Sequence, residues 1–418
     1  GRAQRPARRA WPKGEAGPQG PAARAGAPAP TIPPAQPRTL CYTAPMSDDA
    51  LPESDRLDDA PHPRDTARLY GHAPAEAAVQ SGNTYDRLPP GRLLTGPKGV
   101  GKATFAWRAA RFLLATPPAD DGGMFGAPPP PETLDIDPEH PIARRIRALS
   151  EPGLYLVRRP WDPDTKRLKT QVTVDEVRGL KGFFQMSAGD HRRIVIVDSA
   201  DEMNPAAANA LLKELEAPPE GAVLFLISHR PSGLLPTIRS RCRTLRFGTL
   251  PDADLAAALT QAGADMPDGP ALATLAGGSV GAALTLAAQG GPALYADLMT
   301  LLNSLPSMDR SLALKLAEAT AGKAGEARFD LTLQLLDTAL ARAARAGATG
   351  TLPPEITPNA GEILAKLAPN TARARAWAEL AETLTARARR GKAVNLDPAA
   401  LIFDIFLDLD RTAARLAA

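Results

Sequence analysis

Gly96-Pro97-Lys98-Gly99-Val100-Gly101-Lys102-Ala103-Thr104 carries glycines and a lysine at the spacing of a phosphate loop. Glycines let consecutive backbone N–H groups turn inward around a phosphate. A helix opening there adds the positive end of its dipole. Lys102 is the residue expected to reach the terminal phosphates. The pattern then asks for serine or threonine to hold Mg²⁺, and position 103 is alanine. Thr104 follows one residue late and is expected to point elsewhere on the helix. Gly96, Gly99, Gly101, Lys102 and Thr104 are thus candidate nucleotide-binding residues, in a loop whose fold signal is stronger than its chemistry. A loop that only closes a turn is the other reading of the same residues.

A second candidate is Ile194-Val195-Ile196-Val197-Asp198-Ser199. Four aliphatic residues ending in aspartate suit a buried strand whose tip, Asp198, holds a cation through water. Ser199 comes next, and a hydroxyl is a poor general base at neutral pH. Asp201 and Glu202 read as an acidic cluster at a helix N-terminus, where the dipole favours them. The histidines, at positions 62, 72, 140, 191 and 229, show no ligand spacing, and only His229 falls near this chemistry. Cys41 and Cys242 are too few for a disulfide framework or a four-thiolate zinc site. No metal centre is expected.

These residues need a scaffold, and the hydrophobic pattern supplies one. Arg92–Thr95, Leu154–Val157, Arg193–Asp198 and Ala222–Ile227 read as short strands. Helices are expected over Lys102–Leu114, from Thr173 to about Met186, and over Pro205–Leu215. Thr173 and Glu176 form a capping box, and Pro205 suits a first helical turn. Strands alternating with helices argue for a parallel sheet covered on both faces. The α/β region spans 66–248, interrupted by a Pro/Gly-rich surface insert at 116–141. Beyond Phe247 the strand signals stop. A small helical domain is expected over 249–290 and a second helical domain over 291–418. In the latter, Leu331, Leu335, Leu336 and Leu340 share a helical face, and Leu401–Leu409 reads as a core helix.

The net charge of the 418-residue chain is +3, unevenly spread. Residues 1–45 hold seven basic residues and one acidic, with ten prolines, and cannot bury enough surface to fold alone. They are read as a disordered extension, with Met46 as the expected true start and 46–65 as a flexible stretch. The remainder has 42 basic against 45 acidic residues, which argues against strong DNA binding by the chain alone. No apolar run is long enough for a transmembrane helix, nothing near the start reads as a signal peptide, and a cytoplasmic location with no membrane contact is expected.

The run Asn209-Ala210-Leu211-Leu212-Lys213-Glu214-Leu215-Glu216-Ala217-Pro218-Pro219, the strand through Ser228-His229, and Ser240-Arg241-Cys242 together resemble the clamp-loader branch of AAA+ proteins. The likeness covers about residues 66–285. It implies an α/β P-loop AAA+ domain, a helical lid and a C-terminal all-α collar that joins subunits into a ring. It also implies that Arg241 is an arginine finger reaching a neighbour's γ-phosphate. A permanently charged, planar guanidinium suits that task; a plain surface arginine is the alternative. In ATP-hydrolysing members Asp198 would be followed by glutamate, the sensing strand would carry Thr or Asn where His229 stands, and Gly-Ser-x-Arg would replace Gly278-Ser279-Val280-Gly281. The resemblance therefore implies a non-motor subunit of the bacterial DNA polymerase III loader, possible ATP or ADP binding without hydrolysis, and no catalysis by the chain alone. Its partners would be delta and gamma/tau subunits in a hetero-pentamer, the sliding clamp, and primed DNA through the complex. The insert that follows the first helix, where the family's four-cysteine zinc module would lie, holds no cysteine, so zinc is not expected. An active motor or helicase-type ATPase is the competing class.

Overall fold

Four aliphatic residues of the Arg193–Asp198 strand are completely buried, as a strand must be when helices cover both faces of its sheet. The computed structural model describes residue 1 and residues 52–57, 60–84, 88–116, 131–186, 192–264, 269–322 and 325–418. Most of the 1–45 extension, residues 117–130 of the Pro/Gly insert, Cys41 and His191 lie outside these. All described helices and strands belong to the unit Tyr42–Ala418; of the unit Gly1–Cys41 only Gly1 is described.

In chain order, a 3₁₀ turn at Pro63–Asp65 precedes α1 (Ala73–Thr84), β1 (Gly91–Thr95), α2 (Lys102–Ala115) and α3 (Pro141–Arg147). Next come β2 (Leu154–Arg158), the short hairpin β3 (Trp161–Asp162) and β4 (Arg167–Leu168), α4 (Val174–Gln185) and β5 (Arg193–Asp198). Then follow α5 (Pro205–Glu216), β6 (Ala222–Ser228), α6 (Pro236–Arg241) and β7 (Arg243–Arg246). The five-stranded sheet has the order β2-β5-β6-β1-β7, and every pairing is parallel. The capping box opens α4: Glu176 Oε2 accepts from the Thr173 backbone N at 2.8 Å and from its hydroxyl at 2.6 Å. Pro205 starts α5, with Asn204 accepting from the Ala207 backbone N at 2.8 Å.

The period-2 alternation of the strands divides the core. Leu94, Ile194, Ile196, Val223, Phe225 and Ile227 face one way, onto Phe105, Trp107 and Phe112 of α2 or their neighbours. Leu93, Val195, Val197, Leu224 and Leu226 face the other, onto α4 and α5 through residues such as Leu180, Phe183 and Leu211.

After β7 the described chain is helical. It comprises α7 (Asp252–Gln261), α8 (Gly269–Ala276) and α9 (Val280–Ala288), then α10 (Gly291–Asn303), α11 (Arg310–Glu318), α12 (Glu326–Thr349), α13 (Ala360–Leu367), α14 (Thr371–Ala393) and α15 (Pro398–Ala417). Leu331, Leu335, Leu336 and Leu340 of α12 are buried, as are Ile402, Ile405, Phe406 and Leu409 of α15. Trp377 on α14 is buried and donates its indole N–H to the Leu367 carbonyl at 2.8 Å. Among the described residues, no helix is long and apolar enough to cross a membrane.

Candidate functional site: a closed phosphate loop and an exposed arginine

The phosphate loop runs from the carboxyl end of β1, an inner strand between β6 and β7, to the start of α2, the edge at which open parallel sheets hold ligands. Gly96, Gly99 and Gly101 all take positive φ, which glycine adopts without penalty. Each carbonyl of the loop has a donor. Lys102 Nζ donates to Gly96 O at 2.6 Å and also to Pro97 O. The Ser279 hydroxyl donates to Lys98 O at 2.9 Å, and the Gly281 backbone N–H to Gly99 O at 3.0 Å. His72 Nε2 donates to Val100 O at 2.7 Å, and the Phe105 N–H to Gly101 O at 2.9 Å. The loop is thus held from three sides: by its own lysine, by α1 and by the start of α9.

Lys102 is only 3% exposed. Burial pulls its ammonium down to about 8, while Asp198 and Asp201 act to raise it. Burial pushes the Asp198 carboxyl up to about 7, helped by Asp55 and Glu202 and opposed by Lys102. Asp198 ends β5 beside the loop, and Ser199, which follows it, is buried. His229 stands just past β6 and is held down to about 4, first by burial and then by Lys102. A cavity of about 620 Å³ is lined by Lys98–Thr104, Asp198, Ser199, Glu202 and His229, among others. Thr104 was expected to turn away from the site, yet it lines this cavity together with Ala103.

The acidic pair after Asp198 lies in a short 3₁₀ helix, Ala200–Glu202, and its carboxylates also bond outside that turn. Asp201 accepts from the Ser228 hydroxyl at 2.8 Å, from the His229 backbone N–H and from the Arg230 backbone N–H at 3.4 Å. It therefore ties off the end of β6, while Glu202 pairs with Arg159 at 2.9 Å. Gly281, which stands where the resemblance implies a sensing arginine, is confined by the loop. Gly281 lies so near the loop that a Cβ there would stand 2.9 Å from the Gly99 Cα, closer than real Cβ contacts allow.

Arg241 ends α6 and is not among the residues lining the cavity. Its Nη2 meets Glu216 Oε1 at 2.8 Å, and its Nη1 donates to Thr237 O at 3.1 Å. The next residue, Cys242, is a buried free thiol, raised by burial to about 11. Gly91, at the start of β1, makes room for it: a Cβ there would meet Cys242 Sγ at 3.0 Å, Arg241 O at 3.1 Å and Leu215 Cδ2 at 3.1 Å. A buried anchor beside an exposed arginine fixes which way Arg241 faces. The site residues read from the sequence therefore fall into two places. Gly99, Gly101, Lys102, Thr104 and Asp198 line one cavity, Gly96 opens the same loop, and Arg241 stands outside it.

The sequence pattern missed residues before position 66. Expected as a flexible stretch, residues 52–57 and 60–65 instead pack over the α/β core. His62 is 2% exposed and sits edge-on to Trp107, with ring centroids 5.8 Å apart. Glu53 pairs with Arg64 at 2.8 Å and Arg158 at 2.9 Å, and Arg158 also binds Asp55. These partners lie up to 105 positions apart in sequence, beyond the reach of any local pattern.

A parallel sheet of this order, a phosphate loop after β1 and trailing helical regions fit a P-loop AAA+ α/β domain followed by helical domains. Residues 72–251 match the family described as DNA polymerase III, delta subunit. The chain is 38% identical over 204 residues to DNA polymerase III subunit delta' of Pseudomonas aeruginosa, covering 47% of this chain and 56% of that protein. It is 32% identical over 165 residues to the delta' subunit of Bacillus subtilis, covering 40% and 44%. To the gamma/tau subunit of Mycobacterium tuberculosis it is 29% identical over 196 residues, covering 45% and 29%. The α/β region of this chain is similar to the delta-prime clamp-loader subunits. The matches span about half the length of those delta-prime relatives.

Proposed function

We propose that the chain is the non-motor, delta-prime-type subunit of a bacterial DNA polymerase III clamp loader, working in the cytoplasm. It joins delta and gamma/tau subunits in a hetero-pentameric ring through its helices from 291 onward, with 249–290 as the lid. It hydrolyses no ATP itself. It presents Arg241 to the γ-phosphate of ATP on a neighbouring subunit, and so helps load the sliding clamp onto primed DNA.

The observation that carries this reading is the separation of the two sites. Arg241 lies at the surface outside the cavity, next to the buried Cys242 and paired with Glu216, while the chain's own loop has its lysine turned onto loop carbonyls. Ala103 offers no hydroxyl for Mg²⁺, Ser199 offers no base, and Gly281 leaves no room for a sensing arginine. An arginine finger supplies positive charge where the transition state gains negative charge, and is worth ~10³–10⁵ in turnover at the site it serves.

The test is ATP turnover with clamp and primed DNA, in a loader rebuilt from this chain and the other subunits of its own organism. The chain alone should be inactive, and Arg241→Ala in the full assembly should cut turnover steeply with the assembly intact. Robust turnover by the chain alone, or an undiminished rate in the variant assembly, would overturn the reading.

A further inference from the structure

The phosphate-loop cavity has a wall that belongs to neither the loop nor the lid. Ser54, Asp55, Arg56 and Leu57 line it together with Lys98–Thr104, Asp198 and Gly281. We propose that residues 53–57 are an intramolecular ligand of the phosphate site, an acidic segment that takes the place of a nucleoside triphosphate and keeps it out. This goes beyond the role of Arg241 in trans and does not depend on it.

The segment is fastened at the ligand edge of the sheet. Arg158 is the last residue of β2 and pairs in register with Asp198, the last residue of β5. Its guanidinium holds the Asp55 carboxylate through Nη1, and Glu53 Oε1 at 2.9 Å through Nη2. His62 Nε2 approaches the other Asp55 oxygen at 3.3 Å. The Asp55 side chain is 0% exposed. Two acidic residues are therefore anchored beside the aspartate that would hold a nucleotide's cation. Burial would raise the Asp55 carboxyl, but His62 and Arg158 outweigh it and hold the group at about 2. Its charge is permanent at any working pH.

Leu57 closes the seam. Its Cδ1 lies 3.4 Å from where a Cβ of Gly281 would stand, and Gly281 is the residue whose N–H holds Gly99 O. Segment, lid and loop therefore meet at one point. A triphosphate entering the cradle would have to draw Lys102 off two carbonyls and part Leu57 from α9. It would also meet the wall formed by Ser54–Leu57, which Arg158 holds in place through Asp55 and Glu53.

The experiment is equilibrium binding of a fluorescent ATP analogue with Mg²⁺ to the full-length chain, with unlabelled ATP as competitor. The wild type should show no saturation below millimolar concentrations. Glu53→Gln/Asp55→Asn should bind at least tenfold tighter, and adding Lys102→Ala should abolish the gain. Leu57→Ala, which leaves every charge in place, should give a smaller gain and serves where the double variant melts early. Hydrogen exchange on the wild type supplies a measurement that needs no variant: millimolar MgATP should leave residues 98–104 unprotected. Micromolar binding by the wild type, protection of 98–104 with 52–57 undisturbed, or folded variants that bind no better would each overturn the proposal. Turnover in the rebuilt loader reads Arg241 and not this segment, so either reading can fail without the other.

Discussion

Replacing Asp198 by asparagine should stabilise the protein above neutral pH and leave it nearly unchanged in acid. The carboxyl moves from an ordinary value of 3.8 to about 7 in the folded chain, first because of burial and then because of Asp55 and Glu202. That gap is about three units, and each unit corresponds to about 1.4 kcal/mol between the two protonation states. The whole gap would be about 4 kcal/mol. Part of it is recovered in the wild type, because Asp198 is the foremost charge supporting the buried Lys102 ammonium, and asparagine forfeits that support. A net gain of about 2 kcal/mol follows. Between pH ~4 and ~7 the folded protein keeps a proton that the unfolded chain has released. Stability from this group therefore falls as pH rises through that window and is level above it. Urea unfolding of both proteins at steps from pH 4 to pH 8 should show a difference near zero at the acid end. It should open to about 2 kcal/mol in favour of asparagine by pH 8. A difference that does not vary with pH, or that widens towards acid, would refute the electrostatic account of this site.

Gly281→Ala should force the start of α9 off the phosphate loop, since its Cβ would meet the Gly99 Cα at 2.9 Å. A loss of ~1–3 kcal/mol is expected by thermal or urea melting, and an unchanged midpoint would mean the seam is slack. Trp377→Phe removes the donor to the buried Leu367 carbonyl, and a loss of about 1–3 kcal/mol should appear in the same melts.

The sheet and its first layer of helices were legible because their signals are local. A phosphate loop, a capping box, a proline at a helix start and an unbroken aliphatic run each lie within about ten residues of sequence. β7 was not legible, since Arg243–Arg246 is a mostly exposed edge strand whose only sheet neighbour is β1. The hairpin β3–β4 is too short to carry a period. Asp201 was placed on a helix dipole, but its bonds to backbone and hydroxyl groups 27 to 29 residues on lie outside any local pattern. The acidic segment at 53–57 looked unstructured for the same reason, its order depending on Arg158 far along the chain. The glycine at 281 could be read as a missing arginine, but only the close approach to Gly99 explains why nothing larger stands there.

Gly91 ties distant parts of the molecule together. It contributes no side chain, and three groups crowd the space it leaves: the end of α5, the carbonyl of Arg241 and the thiol beside it. The bearing of an exposed guanidinium is thus set from inside the sheet, by an omission in one of its inner strands. Any methyl group placed there would act as a shim under α6. The phosphate loop begins five residues further along the same strand, so one rail carries both the inward-facing and the outward-facing chemistry. Movement of its near end would be felt at Arg241, so in the proposed role of Arg241 the fault would surface in another subunit.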